Sequence, residues 1–105
     1  MRNEINLISH FSFVSMRLDL FLKSSRLIAR RSLAQKFCDA GFIKVNNLTA
    51  KSSREVKPDD ELEIKKHNRL IKIRVSQIPD KKQISRQDSV NLYEIISEEI
   101  LEDEL

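Results

Sequence analysis

The sequence predicts an α+β domain: a two-helix motif packed on a small, mainly antiparallel sheet, followed by a C-terminal helical tail. Apolar residues recur at helical spacing between Leu18 and Cys38, then switch to alternation with polar residues beyond Gly41. Pairs that favour tight turns (Asn46-Asn47, Pro58-Asp59 and His67-Asn68) separate the alternating runs. Gly41 is the single glycine among 105 residues, which disfavours glycine-rich phosphate loops and dinucleotide-binding folds.

The first helix is predicted from Leu18, Phe21, Leu22 and Ile28, which form one apolar face, with Asp19 supporting its first turn. The Arg30-Arg31 step interrupts this pattern. Ser32 with Gln35 three positions on has the form of a capping box and opens a second helix, in which Leu33, Phe37 and Cys38 share a face. Gly41 closes it in the left-handed conformation.

Strands follow where Ile43 and Val45 flank Lys44, where Leu62 and Ile64 alternate with Glu61, Glu63 and Lys65, and where Ile71, Ile73 and Val75 alternate with Lys72 and Arg74. Residues from Pro79 to Gln87 read as a polar linker. From Asp88 or Ser89 a last amphipathic helix is expected, with Val90, Leu92, Tyr93, Ile95, Ile96 and Ile100 set against Glu94, Glu98 and Glu99. The domain layout is thus an N-terminal extension at 1–15, a folded domain at 16–78, and a linker with an acidic helix at 79–105.

Charge is strongly segregated. Met16 to Lys82 holds 17 Lys and Arg against 8 Asp and Glu, whereas Gln83 to Leu105 holds one basic residue against seven acidic ones. A basic body predicts a polyanionic partner, and the acidic tail a separate role. Cys38 is the single cysteine, so no internal disulfide or thiolate cluster can form; its place in an apolar helical pattern makes it a buried small residue. His10 and His67 lack carboxylates at ligand spacing, and neither a metal nor a cofactor is expected. No apolar run has the length of a membrane helix, and residues 1–15 make a poor signal peptide, so the expected location is cytoplasmic, with no membrane partner.

The run Met16-Arg17-Leu18-Asp19-x-Phe21-Leu22, continued by Arg30-Arg31-Ser32-x-Ala34, Gly41-x-Ile43-x-Val45-Asn46, Lys51-x-Ser53 and Val56-Lys57-Pro58-x-Asp60-x-Leu62, resembles the RNA-binding domain first recognised in ribosomal protein S-four, the αL motif. The likeness covers roughly residues 16–76, and the Asn91-Leu92-Tyr93 segment extends it toward small stand-alone members of the superfamily. One group of these serves bacterial ribosome-associated quality control; a related one is a fifteen-kilodalton heat-shock protein. Asn47 stands where the family usually has glycine in its hairpin, at the cost of mild strain, and Asp59 replaces the customary glycine before Asp60, which shifts that turn but not the basic face.

The resemblance implies binding to large-subunit rRNA and to peptidyl-tRNA on stalled or split large subunits, as a monomer, in support of alanine tailing of the nascent chain by a tailing factor. The family's RNA contacts map onto Arg17 and Arg31, with Lys23, Arg30 and Lys36 beside them. Chemistry supports the choice, since a planar guanidinium can grip a phosphate with two hydrogen bonds and duplex RNA is read through phosphates and 2′-hydroxyls. Arg26 falls between the helices, the start at Ser32 adds backbone N–H donors, and Lys44, Lys51 and Ser53 extend the surface from the sheet side.

Two other readings compete: an RNA-binding module that targets a separate enzyme, and a protein-interaction adaptor that works through the acidic tail. Catalysis by this chain alone is not expected, because Asp19 and Asp60 have structural roles in a helix start and a turn.

Overall fold

A computed structural model describes residues 15–80 and 84–101. Most of the expected N-terminal extension (1–14), with 81–83 and 102–105, lies outside the described residues.

The chain runs β1 (Met16–Arg17), α1 (Leu18–Ser24), α2 (Arg31–Asp39), β2 (Ile43–Val45), β3 (Leu48–Thr49), β4 (Glu55–Val56), β5 (Glu61–Lys66) and β6 (Arg69–Val75). It ends with a short helix α3 (Arg86–Ser89), a 3₁₀ turn at Val90–Leu92 and strand β7 (Tyr93–Ile100). The main sheet has the order β3-β2-β5-β6-β7, antiparallel throughout, and β1 pairs with β4 in a separate small ribbon. The α+β class and the two-helix motif on an antiparallel sheet are therefore as expected.

Alternation places Ile43, Val45, Leu62, Ile64, Ile73 and Val75 on one sheet face, all fully or almost fully buried. The helices lay Leu18, Phe21, Leu22, Ala34 and Cys38 into the same core. Ile28 is also buried, but α1 stops at Ser24, so Ile28 enters from the loop and not from a continued helix. Arg26, at φ 63°, reverses the chain there, donating its backbone N–H to Lys23 O at 3.0 Å. A left-handed non-glycine residue costs about 1 kcal/mol, which the burial of Ile28 offsets. Leu33 departs from its expected face: it is 38 % exposed, and Ala34 takes the buried position one turn before Cys38.

The expected capping box at Ser32 does not form. Helix α2 starts one residue earlier, with Arg30 as its N-cap residue and no side-chain cap hydrogen bond. The C-terminus follows expectation. Gly41 adopts φ 81°, its N–H reaches Cys38 O, and Phe42 N–H reaches Phe37 O, the paired bonds of a Schellman motif. The accompanying apolar contact is Phe37 against Phe42, edge to face at 5.9 Å.

The turns at Asn46-Asn47 and at Pro58-Asp59 both hold non-glycine residues at positive φ. Asn46 and Asn47, at φ 51° and 73°, join β2 to β3, and Asp59, at φ 77°, follows Pro58. Asp60 ties these turns together: its carboxylate accepts from Lys57 N at 3.0 Å and from Asn46 Nδ2 at 3.2 Å.

The C-terminal segment corrects the expected amphipathic helix. Helical structure is confined to Arg86–Leu92, and Tyr93–Ile100 forms the fifth strand of the sheet, paired along β6. Leu92 is buried, and its carbonyl accepts from Ser76 N at 2.8 Å, so this segment belongs to the folded domain.

Candidate nucleic-acid interface

Asp19 organises the start of the helix pair. Its side chain is fully buried, and its carboxylate accepts from Arg17 Nε at 3.2 Å and Nη2 at 3.1 Å, and from Gln35 Nε2 at 2.8 Å. Arg31 Nε lies 3.4 Å from the same Oδ2. Burial pushes the Asp19 carboxyl up, but the hydrogen bonds from Arg17 and Gln35 and the charges of Arg31 and Arg17 prevail, holding it below its ordinary value. One carboxylate thus fixes two guanidinium groups, Arg17 from the residue before α1 and Arg31 from the start of α2; Asp19 lies in the first turn of its own helix as expected, without a side-chain cap hydrogen bond.

The two arginine side chains remain 42 % and 44 % exposed. Arg17 spends its Nε–Nη2 edge on Asp19, and Arg31 faces it through Nε, so each keeps N–H groups for an outside acceptor. Two positive charges against one negative leave the cluster cationic, and pre-oriented guanidinium forks match phosphate oxygens.

The loop after β3 flanks this pair. Leu18 N–H donates to Arg54 O at 2.7 Å and Asp19 N–H to Ser52 O at 3.1 Å, which holds residues 51–54 beside the start of α1. Lys51 and Ser53 are exposed on this loop, as is Arg54, which the sequence reading passed over. Its signal was present as a basic residue directly after Lys51-x-Ser53. Arg30, Ser32 and Lys36 are exposed on or beside α2, on the solvent side of the helix whose Ala34 and Cys38 are buried.

Two of the predicted residues lie at the far end of α1. Lys23 sits in its last turn and Arg26 in the reversal after it, where Arg26 Nη2 donates to Ile84 O at 3.0 Å. Lys44 falls away from the helices. It pairs with Thr49 and Glu63 and alternates with the buried Ile43 and Val45, so it occupies the sheet face opposite the core. Arg17, Arg31, Lys51 and Ser53 are therefore brought together with Arg54. Lys23 and Arg26 form a second group, and Lys44 stands apart.

No groups of His, Cys, Asp or Glu able to hold a metal ion occur among the described residues. Burial, followed by the charges of Asp19 and Asp39, pushes the Cys38 thiol up to about 11, which makes it a poor nucleophile. No helix among the described residues is long and apolar enough to cross a membrane.

A helix pair presenting arginines above an antiparallel sheet defines a protein built on the S4 domain, and the model of that family matches residues 16–62. The chain is 43% identical over 88 residues to the RQC P-site tRNA stabilizing factor of Streptococcus pneumoniae, covering 84% of this chain and 98% of that relative. It is also 43% identical over 86 residues to the protein of the same name from Bacillus subtilis, covering 82% and 98%. The chain belongs to the family of the RQC P-site tRNA stabilizing factors. Among solved structures, that of a hypothetical protein, HP1423, superposes with a TM-score of 0.69 at 33% identity, covering 78% of this chain and 98% of that one. The trimeric heat shock protein 15 of Vibrio cholerae shares the fold, with a TM-score of 0.72 at 24% identity over 79% of this chain and 83% of that one.

Proposed function

We propose that this protein binds the large ribosomal subunit and steadies the P-site tRNA on it during ribosome-associated quality control. The observation that carries the proposal is the Asp19-anchored pair of Arg17 and Arg31, seated on a packed helix pair in a chain whose relatives are named for stabilizing P-site tRNA. Rigidly held guanidinium groups contact phosphates without first losing side-chain freedom, so binding follows backbone shape more than base sequence.

The partners are large-subunit rRNA and peptidyl-tRNA, and the protein acts by holding and not by catalysis. A contribution to alanine tailing, exerted through the position of the tRNA and not through chemistry on it, belongs to the same reading, and such a role is cytoplasmic. Strand β7 argues against a free acidic arm as the main docking device, since Tyr93–Ile100 is engaged along β6.

The test is cosedimentation of the full chain with purified large subunits, with and without peptidyl-tRNA. Retention should be markedly stronger on subunits that carry peptidyl-tRNA. Equal retention on both, or none on either, would refute the tRNA role.

A further inference from the structure

A groove of ≈ 670 Å³ opens between the C-terminal end of α1 and the segment that leads into β7, away from the Asp19 cluster. Helix α1 has seven residues and so separates the two places by about 10 Å. Lys23, Arg26 and Arg86 line the groove, and among the described residues no carboxylate does. Arg26 is fixed by its bond to Ile84 O, while Lys23 and Arg86 have no ion-pair partner among the described residues.

Ser24 adds an independent observation. It lines the groove, is 4 % exposed, and its Oγ has no hydrogen-bond partner among the described residues. A buried hydroxyl without a partner is costly, and a ligand oxygen would relieve that cost. Ala29, Ile84, Val90 and Tyr93 add an apolar and aromatic stretch to the wall, beside the polar Ser25 and Ser89. The volume lies within the range of about 300–1,000 Å³ that encloses ligands of nucleotide size.

We propose that this groove takes one unpaired nucleotide of an RNA strand, with its phosphate between Lys23, Arg26 and Arg86 and its ribose and base along the Ala29–Tyr93 wall. Ser24 Oγ donates to a phosphate or ribose oxygen. The inference rests on the RNA-binding reading and deepens it: the Asp19 cluster holds duplex backbone, and the groove holds the neighbouring unpaired residue. An aromatic side chain beside a cationic track suits a single strand, because any base can stack while the phosphate is neutralised.

The experiment compares binding of the full-length protein to a blunt RNA hairpin and to the same hairpin with a short oligouridine extension, with AMP as a separate competitor. The extension should tighten wild-type binding about tenfold, the worth of one charge-assisted hydrogen bond. Arg86→Ala should lose that gain while keeping its affinity for the blunt hairpin, and its salt slope on the extended RNA should fall by about one. Ser24→Ala should also lose part of the gain without lowering thermal stability, since it removes an unpartnered hydroxyl.

An undiminished gain in both variants would overturn the groove assignment. So would AMP binding in the groove with no gain from the extension, which would indicate a free-nucleotide site. Failure of the RNA-binding reading would look different: Arg31→Ala would then bind the blunt hairpin as tightly as the wild type.

Discussion

Gln35 Nε2 donates to Asp19 Oδ2 at 2.8 Å, so a side chain of the second helix secures a buried carboxylate of the first. The same oxygen takes Arg17 Nη2 and faces Arg31 Nε, making Asp19 the point at which the helix pair and its arginines are held in register.

Replacing Asp19 with Ala should therefore reduce both stability and RNA binding. Losing a buried acceptor that serves several donors costs about 2 kcal/mol, discounted here because both arginines can turn to water. Urea denaturation should show the stability loss. Binding at a temperature where the variant remains folded should still be weaker, because the guanidinium groups are no longer oriented.

Acid should act through the same residue. The Asp19 carboxyl lies below its ordinary value of 3.8 in the folded chain, so its stabilising contribution is fully present above that value and is lost as pH falls through the folded one. Wild-type stability should drop below about pH 4, and Asp19→Asn should show a shallower drop over the same window. Urea midpoints at neutral and acid pH would check this, and parallel curves would contradict it.

Gly41 permits a cleaner test of backbone strain. A Cβ at this position meets nothing within 4 Å, yet φ is 81°, so Gly41→Ala carries a conformational cost without a clash. A loss of about 1 kcal/mol is expected, with RNA binding unchanged.

The C-terminal segment should prove necessary for folding. Leu92 is 4 % exposed, and Leu92→Ala should cost about 3 kcal/mol, measured by denaturant unfolding. Truncation before residue 83 would strip β7 from β6 and uncover Ile73 and Val75. It would destabilise the domain and not merely remove negative charge.

Cys38 should resist alkylation in the native state and react on unfolding, since its thiol is buried and pushed up to about 11. Rapid labelling of native protein would contradict the packing of α2.

Where the sequence was legible, local pattern and tertiary demand agreed. Leu18, Phe21, Leu22 and Ile28 are all fully buried, and the turns at Asn46-Asn47 and Asp59 hold the positive φ their residues tolerate. Tyr93–Ile100 misled because its pairing with β6 is irregular. Ser97 pairs with Lys72 and Ile95 with Ile73, leaving Ile96 as an extra residue. That bulge shifts the alternation, so Tyr93, Ile96 and Ile100 fall at helical spacing in a strand. Gln35 misled for another reason: three residues after Ser32 it completes a capping motif, but its amide reaches sixteen residues back to Asp19. That Lys44 lies on the sheet side was legible, but its face was not, because alternation fixes which face a residue shares, not which face the helices cover. Arg86 and Ser24 gave no local signal, since their groove exists only once the C-terminal segment has folded against α1.

The most direct test of the paired-arginine surface is the retention of Arg31→Ala on large subunits carrying peptidyl-tRNA, measured beside wild type across a salt series. With about six phosphates engaged, wild-type affinity should fall with a logarithmic salt slope of about −4 to −5. Arg31→Ala should bind about tenfold more weakly with a shallower slope while remaining folded. Wild-type affinity and slope in that variant would contradict the account.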